Sequence, residues 1–436
     1  MVEKSEILEC VVPKELENQR PATTAAVLDG AVLVQMIRPR NSGTFGEHFF
    51  KVLLPYILSW LEWNDRVDIV WDVYSKTSIK SGTRKQRGSG LRRRVTFTTK
   101  IPGNWAAFLR VDLNKQELFG EISNNLKLVE LPDGKQLFTT ILEKCLSSPL
   151  DADVSDLSPC TQEEADSRIF LHVAAAASSG HRQVMVRTTD SDVVVLAISA
   201  FVSLSQDLDE LWVAFGMQHR YRYIPIHTIA AHLGPAKSSA LPAFHALTGC
   251  DTTSSFFGKM KKTALAVWNA VPELTVPLIL LSRPNPSPEV LTTYSPVLQQ
   301  FVTQLYGVCE NDASTVDSAR HHLFLEKGKD FAQLPPGSDA FQQHLLRVAY
   351  QSGHVWGNLL KKVSEPVSLE DWGWQQETPN SAPTPRFTTI DILSKKTPEL
   401  VSCKCRAACK PPCTCKTNQK PCMLTCTCKC PKNLPV

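Results

Sequence analysis

An α/β fold, with a central parallel sheet flanked by helices and followed by a helical region and a small metal-binding tail, is predicted by three observations. Short apolar runs alternate with helical repeats over the first 270 residues, the pattern that covers both faces of a parallel sheet with helices. Several of those runs end in an aspartate and a turn. Nine of the 14 cysteines crowd into residues 403–430. The chain has 436 residues, 43% of them apolar and 21% charged, which is enough for one large or two smaller hydrophobic cores and excludes a chain disordered throughout. No run approaches the roughly 18 apolar residues of a membrane span. The first residues, MVEKSEILEC, alternate charges where a secretory signal is apolar, so a soluble intracellular protein with no membrane partner is expected.

The elements follow in order. TTAAVLDGAVLVQMI, residues 23–37, reads as an apolar strand that ends at Asp29 and turns at Gly30 into a helix. VDIVWDVY, residues 67–74, reads as a second buried strand with Asp72 near its end. Residues 95–150 give no clear pattern. Residues 161–180 repeat Ala165, Ile169, Val173 and Ala176 at helical spacing, with Thr161 as N-cap, Glu164 at the capping-box position and Gly180 as the stop. QVMVRTTDSDVVVLAIS is a strand, an acidic turn and a second apolar run, and LWVAFG with YRYIPI reads as a hairpin. Residues 226–268 are helical, broken at Gly234-Pro235 and at GCDTTSSFFGKMKK. The expected divisions are an N-terminal extension over 1–22, the α/β domain over 23–270, a helical region over 271–365, a proline-rich linker over 366–398 and the cysteine-rich tail over 399–436.

Ligands of a parallel sheet bind beyond the C-terminal ends of its strands. Asp29, Asp72, Asp190 and Asp192 all fall there, and carboxylates gathered at one edge repel unless protonated or joined by a cation. Oxygen-only ligands favour Mg²⁺ or Mn²⁺ over zinc, and two such ions suit phosphodiester cleavage. His172, His227, His232 and His245 read as core or surface histidines and not as zinc ligands. The net charge of +4 is unevenly spread: residues 80–94, KSGTRKQRGSGLRRR, carry seven cations and no acid, as a phosphate-binding segment would.

The order of these motifs resembles the flap endonuclease group of the PIN-like superfamily over residues 24–268, and it is similar to an animal group sharing EEAD, DSDV, RYIPIH and ALPAFHALTGCD. VLDGAVLVQ resembles the family's first acidic strand, IVWDVYSKTSIKSGTRKQR its second with the basic arch, EEAD its acidic helix start, TTDSDVVVL its Asp-x-Asp turn, and LTGCDTTSSFFGKMKKTAL its last acid and duplex-gripping turn. The resemblance implies two Mg²⁺ or Mn²⁺ ions on Asp29, Asp72, Glu164, Asp166, Asp190, Asp192 and Asp251. It also implies that Lys80 and Arg87 hold the scissile phosphate, and it puts Arg84, Lys85, Arg92, Arg93, Arg94, Lys259, Lys261 and Lys262 on nucleic acid. Asp166 stands where the family has Glu, Thr252 where it has Tyr, and Met260 where it has Gly.

The tail cysteines, Cys403, Cys405, Cys409, Cys413, Cys415, Cys422, Cys426, Cys428 and Cys430, lie in a segment with almost no core-forming residues, so metal or disulfides must hold it. Nine thiols cannot all pair, whereas about three zinc ions can share them through bridging thiolates. The spacing resembles half of a tesmin-type CXC domain, which implies DNA contacts from Lys404, Arg406 and Lys416; a similar cluster is purely structural beside methyltransferase domains. The function expected is a Mg²⁺- or Mn²⁺-dependent DNA nuclease, RNA not excluded, resident in the nucleus and aided by a zinc tail. The alternative is a catalytically inactive DNA-binding scaffold, derived from a mobile element, that binds through that tail.

Overall fold

The structure is a computed structural model that describes residues 5–13, 19–39, 43–75, 77–86, 90–309, 313–325, 330–363, 365–378 and 381–389, and in the tail 403–406, 409, 413–417, 426 and 428. Two compact units form, one ending at Phe387 and one spanning Thr388–Val436.

Seven strands build the sheet of the first unit: β1 Ala25–Asp29, β2 Arg66–Val70, β3 Gln136–Ile141, β4 Lys144–Ser148, β5 Gln183–Thr188, β6 Glu210–Phe215 and β7 Arg222–Pro225. Their spatial order is β4-β3-β2-β1-β5-β6-β7. The five central strands are parallel, and the edge strands β4 and β7 run antiparallel. The helices that matter for the site are α1 Glu6–Val11, α2 Gly30–Met36, α3 Lys80–Gln86, α4 Asp112–Leu126, α5 Ala165–Ser178, α6 Ser191–Leu204, α7 Ile226–Leu247 and α8 Lys261–Ala270.

Strand β1 is buried along its whole length because both faces are covered: Ala25 and Val27 join one core, Ala26 and Leu28 the other. Each fully buried Val or Leu of this kind contributes about 1.5–3 kcal/mol. The strand ends where Asp29 caps α2, accepting from Val32 N at 3.2 Å. Gly30 is required at that junction, since a Cβ there would lie 2.2 Å from the Trp71 ring. The chain leaves β1 toward β2 on one side and later returns as β5 on the other, so the strand order reverses between β1 and β5. A crevice opens at the C-terminal ends of strands at such a reversal.

Several expectations are corrected. The second strand stops at Val70, because Trp71 N donates to the Thr140 side chain at 2.9 Å instead of continuing a ladder, and Asp72 lies beyond the strand. Helix α5 starts at Ala165 with Glu164 as its N-cap residue; Thr161 N instead donates to Lys362 O at 2.8 Å, so the capping box is not formed. The stretch that gave no pattern contains β3, β4 and α4. The helical region is not separate: Leu278, Phe301, Leu345 and Trp356 share one core with α5, α6 and α7. The expected linker is packed as far as Phe387, with Trp372 and Trp374 buried and Trp374–Gln375 paired to Thr384–Pro385. Among the described residues no single helix is long and apolar enough to cross a membrane.

Candidate metal centre

The C-terminal ends of β1 and β5, with the turns after β2 and before α5 and α8, open onto a cleft of about 1350 Å³. Asp29, Asp72, Glu164, Asp166, Asp190 and Asp251 line it, so six of the seven acids expected as ligands face one space. The seventh, Asp192, is 1% exposed beneath the cleft. Carboxylate oxygens of Asp166, Asp190 and Asp192 all lie within 4.8 Å of one another.

Backbone and side-chain donors hold these acids in place. Thr188 Oγ1 donates to Asp29 Oδ2 at 3.0 Å, and the same hydroxyl accepts from Asp190 N at 3.1 Å. Asp190 caps α6 by accepting from Asp192 N at 2.9 Å. Asp72 Oδ1 accepts from Ala165 N at 2.9 Å, at the start of α5, and Tyr74 Oη donates to Asp72 Oδ2 at 3.0 Å. The charge balance is unfavourable without a cation. Burial, then the Asp72 charge, pushes the Asp29 carboxyl up to about 7. Burial also raises Glu164, and it holds Asp166 well above the usual carboxylate range, aided by Asp190. The donor set is all oxygen, convergent and short of positive charge, which fits a hard divalent cation.

Among the described residues, Lys80 is paired to this cluster. Its Nζ lies 2.9 Å from Glu164 Oε2 and 3.3 Å from Asp166 Oδ2. Burial would lower its pKa, but those carboxylates hold it well above the usual lysine value.

The remaining basic residues divide. Arg84 is tied to Asp112 at 3.1 Å and to Ser75 O at 3.1 Å, and its guanidinium stands 5.3 Å from the Tyr74 ring. Arg92 pairs with Glu117, while Arg93 and Arg94 are exposed. Lys262 is exposed and Lys259 lies over the Tyr306 ring at 4.4 Å. Lys261 is a correction: it is 1% exposed and donates to His245 O, Thr248 Oγ1 and Gly249 O, so its ammonium braces the chain before Asp251 and is not presented to a phosphate. Arg87 and the side chain of Lys85 lie outside the described residues.

Some supporting residues were missed in the sequence. Glu163 accepts from Ser75 N at 3.3 Å, and its own carbonyl accepts from Val73 N, which draws the segment around Asp72 against the start of α5. Lys115 places its ammonium 3.7 Å from the Tyr74 ring in the cleft wall. The only signals were adjacency to Asp72 and the doubled acid of EEAD. Of the histidines, His172 bonds Asp68 at 2.7 Å, His227 bonds Leu211 O at 3.2 Å and His232 is exposed, whereas His245 reaches Asp192.

In the tail unit, sulfur atoms of Cys403, Cys405, Cys409 and Cys413 lie within 4.8 Å of one another, and so do those of Cys403, Cys415 and Cys426. Cys403 belongs to both groups. Cys428 is buried nearby in the same cluster, and Lys404, Arg406 and Lys416 are exposed. Cys422 and Cys430 lie outside the described residues.

No protein-family model matches the sequence, and no curated protein sequence does. Among solved structures, a bacteriophage T5 flap endonuclease in a pseudo-enzyme–product complex with DNA and metal ions is similar at 13% identity and a TM-score of 0.36, over 75% of this chain and 100% of that one. A T5 5′-exonuclease with bound zinc ions gives 11% and 0.35, over 75% and 99% of the two chains. The catalytic core of Rad2 in complex with a DNA substrate gives 12% and 0.35, over 78% and 93%. At such values these are likenesses only.

Proposed function

We propose that the first unit is a divalent-metal-dependent nuclease acting on DNA. The observation that carries this reading is the convergence of six carboxylates, from five separate segments of chain, on one crevice at the reversal of strand order, with the seventh, Asp192, within 4.8 Å of Asp166 and Asp190 and with Lys80 against them. Asp29, Asp72, Glu164, Asp166, Asp190, Asp192 and Asp251 would hold about two Mg²⁺ or Mn²⁺ ions, which when bound activate a water and stabilise the leaving oxygen of a phosphodiester. The chain's own contribution is placement. Thr188, Tyr74 and the amides of Val32 and Ala165 fix the Asp29 and Asp72 carboxylates, and Lys80 and Arg87 would supply positive charge as the phosphate gains negative charge. Arg93, Arg94 and Lys262 would meet the nucleic acid backbone outside the cleft.

The tail would bind about three zinc ions through its nine thiolates, and Cys403, which belongs to both sulfur groups, would be among the ligands they share. With Lys404, Arg406 and Lys416 exposed it would add sequence-independent affinity for nucleic acid. With a DNA partner and its basic segments, the chain would reside in the nucleus.

Cleavage of labelled flap, hairpin, single-stranded and duplex substrates, in DNA and in RNA, tests the reading. Cutting with Mn²⁺ that disappears with chelator and in Asp190→Ala/Asp192→Ala is expected. Intact substrates beside a cutting flap endonuclease control would sink it.

The burial of Lys261, which removes one expected phosphate contact, favours a second reading in which the first unit is a scaffold and the tail does the binding. Deleting residues 399–436 separates the two. A nuclease keeps cutting with weaker binding, and a scaffold loses DNA binding altogether.

A further inference from the structure

We propose that His245 is a positioning residue of the metal centre: it sets the orientation of Asp192 and, through its own backbone, the approach of the chain to Asp251. The proposal rests on the metal-centre reading above and deepens it.

His245 lies in the last turn of α7, fully buried, 53 residues from Asp192 in sequence. Its Nε2 is 3.0 Å from Asp192 Oδ1. With Asp192 ionised the imidazole is the donor, because a carboxylate only accepts. Asp192 is the most buried member of the trio formed with Asp166 and Asp190. A buried carboxylate that must turn toward a cation needs its rotamer held and part of its charge offset by a fixed donor, and outer-shell donors of this kind tune metal sites.

The imidazole is itself held. The Trp356 ring stacks on it with centroids 6.0 Å apart and planes 25° from parallel. Its main-chain carbonyl accepts from Lys261 Nζ at 3.1 Å, and that ammonium also donates to Thr248 Oγ1 and Gly249 O, each at 2.7 Å. The backbone from 245 to 249 is therefore pinned by one buried cation immediately before Asp251. Asp192 is reached through the ring and Asp251 through the loop. His245 does not line the cleft, so it acts through these acids and does not touch substrate.

Mn²⁺ uptake by the full zinc-loaded chain, followed by electron paramagnetic resonance of free Mn²⁺, tests the proposal without reference to cleavage. His245→Gln keeps a donor near the place of Nε2, and His245→Asn keeps the amide but withdraws it. His245→Phe keeps the ring volume with no donor. Expected are near wild-type Mn²⁺ affinity for His245→Gln, and a loss of about tenfold or more for His245→Asn and His245→Phe, with Asp192→Asn as the benchmark. The Gln and Asn variants are both polar and differ in reach, so their comparison stands even if His245→Phe does not fold. Equal affinities for Gln, Asn and wild type would overturn the proposal while leaving the metal centre intact. A wild-type chain that takes up no Mn²⁺ beyond the Asp192→Asn chain would overturn the metal-centre reading, and this proposal with it.

Discussion

Asp68 in the middle of β2 and Asp29 at the end of the neighbouring β1 are both carboxylates removed from water, and they are treated in opposite ways. Asp68 receives two bonds from the Arg66 guanidinium, at 2.8 and 2.9 Å, and one contact from His172 at 2.7 Å. Burial alone would raise its pKa, but Arg66 holds it below the usual carboxylate range. Asp29 has hydrogen bonds from Val32 N and Thr188 but no ion pair among the described residues, and the charges of Asp72 and Asp190 raise it further. One arrangement is closed on its own cation; the other keeps its carboxyl raised among like charges, which fits the proposed metal site. The difference separates scaffold from site on a single sheet, where burial by itself would have grouped them.

The largest effect is expected from breaking the closed arrangement. Asp68→Ala leaves the Arg66 guanidinium buried without its partner and should destabilise the first unit by about 3–5 kcal/mol in urea unfolding. A loss under about 1 kcal/mol would mean that the two carboxylates are less different than their surroundings say.

Mn²⁺ should sharpen the contrast from the other side. At a concentration about a hundredfold above its dissociation constant it should stabilise the wild-type chain by about 2.7 kcal/mol, and it should leave the melting temperature of Asp190→Ala/Asp192→Ala unmoved.

A smaller effect concerns pH. Asp29 has its folded pKa raised from 3.8 to about 7. Its favourable contribution is therefore complete below pH 3.8 and is lost as pH rises through about 7. The metal-free wild type should lose stability between about pH 4 and 7 relative to Asp29→Asn, on the order of 1 kcal/mol per pH unit, and run level with it above that. Parallel pH curves for the two chains would show that Asp29 is not held protonated by its neighbours.

The smallest effect lies outside the cleft: Arg93→Ala/Arg94→Ala should lower the salt dependence of DNA binding by about one unit of slope per residue and leave Mn²⁺ uptake unchanged.

How much of this could be read in the sequence depends on the range of the contacts. Asp29, Asp190 and Asp192 were legible because each follows an apolar strand directly and caps or enters the next helix. The hairpin of β6 and β7 and the break at Gly234, with φ 75°, were legible because turn chemistry is local. Strands β3 and β4 were not, since QLFTTI and KCLSS mix polar and apolar residues without a period, and β3 owes its burial to α4 and its place beside β2. The linker reading of residues 366–387 followed the prolines and missed that Trp372 and Trp374 are buried there. His245 was read as a core or surface histidine, and it is buried; its bond to Asp192 spans a helix, a hairpin and most of a second helix, and no local pattern records such a contact.

The most direct test of the central claim is an anomalous-scattering map from crystals of this protein soaked in Mn²⁺. A peak within coordination distance of the Asp166, Asp190 and Asp192 carboxylates, absent in crystals of Asp190→Ala/Asp192→Ala, is the expected result. A cleft that stays free of anomalous signal at saturating Mn²⁺ would contradict it.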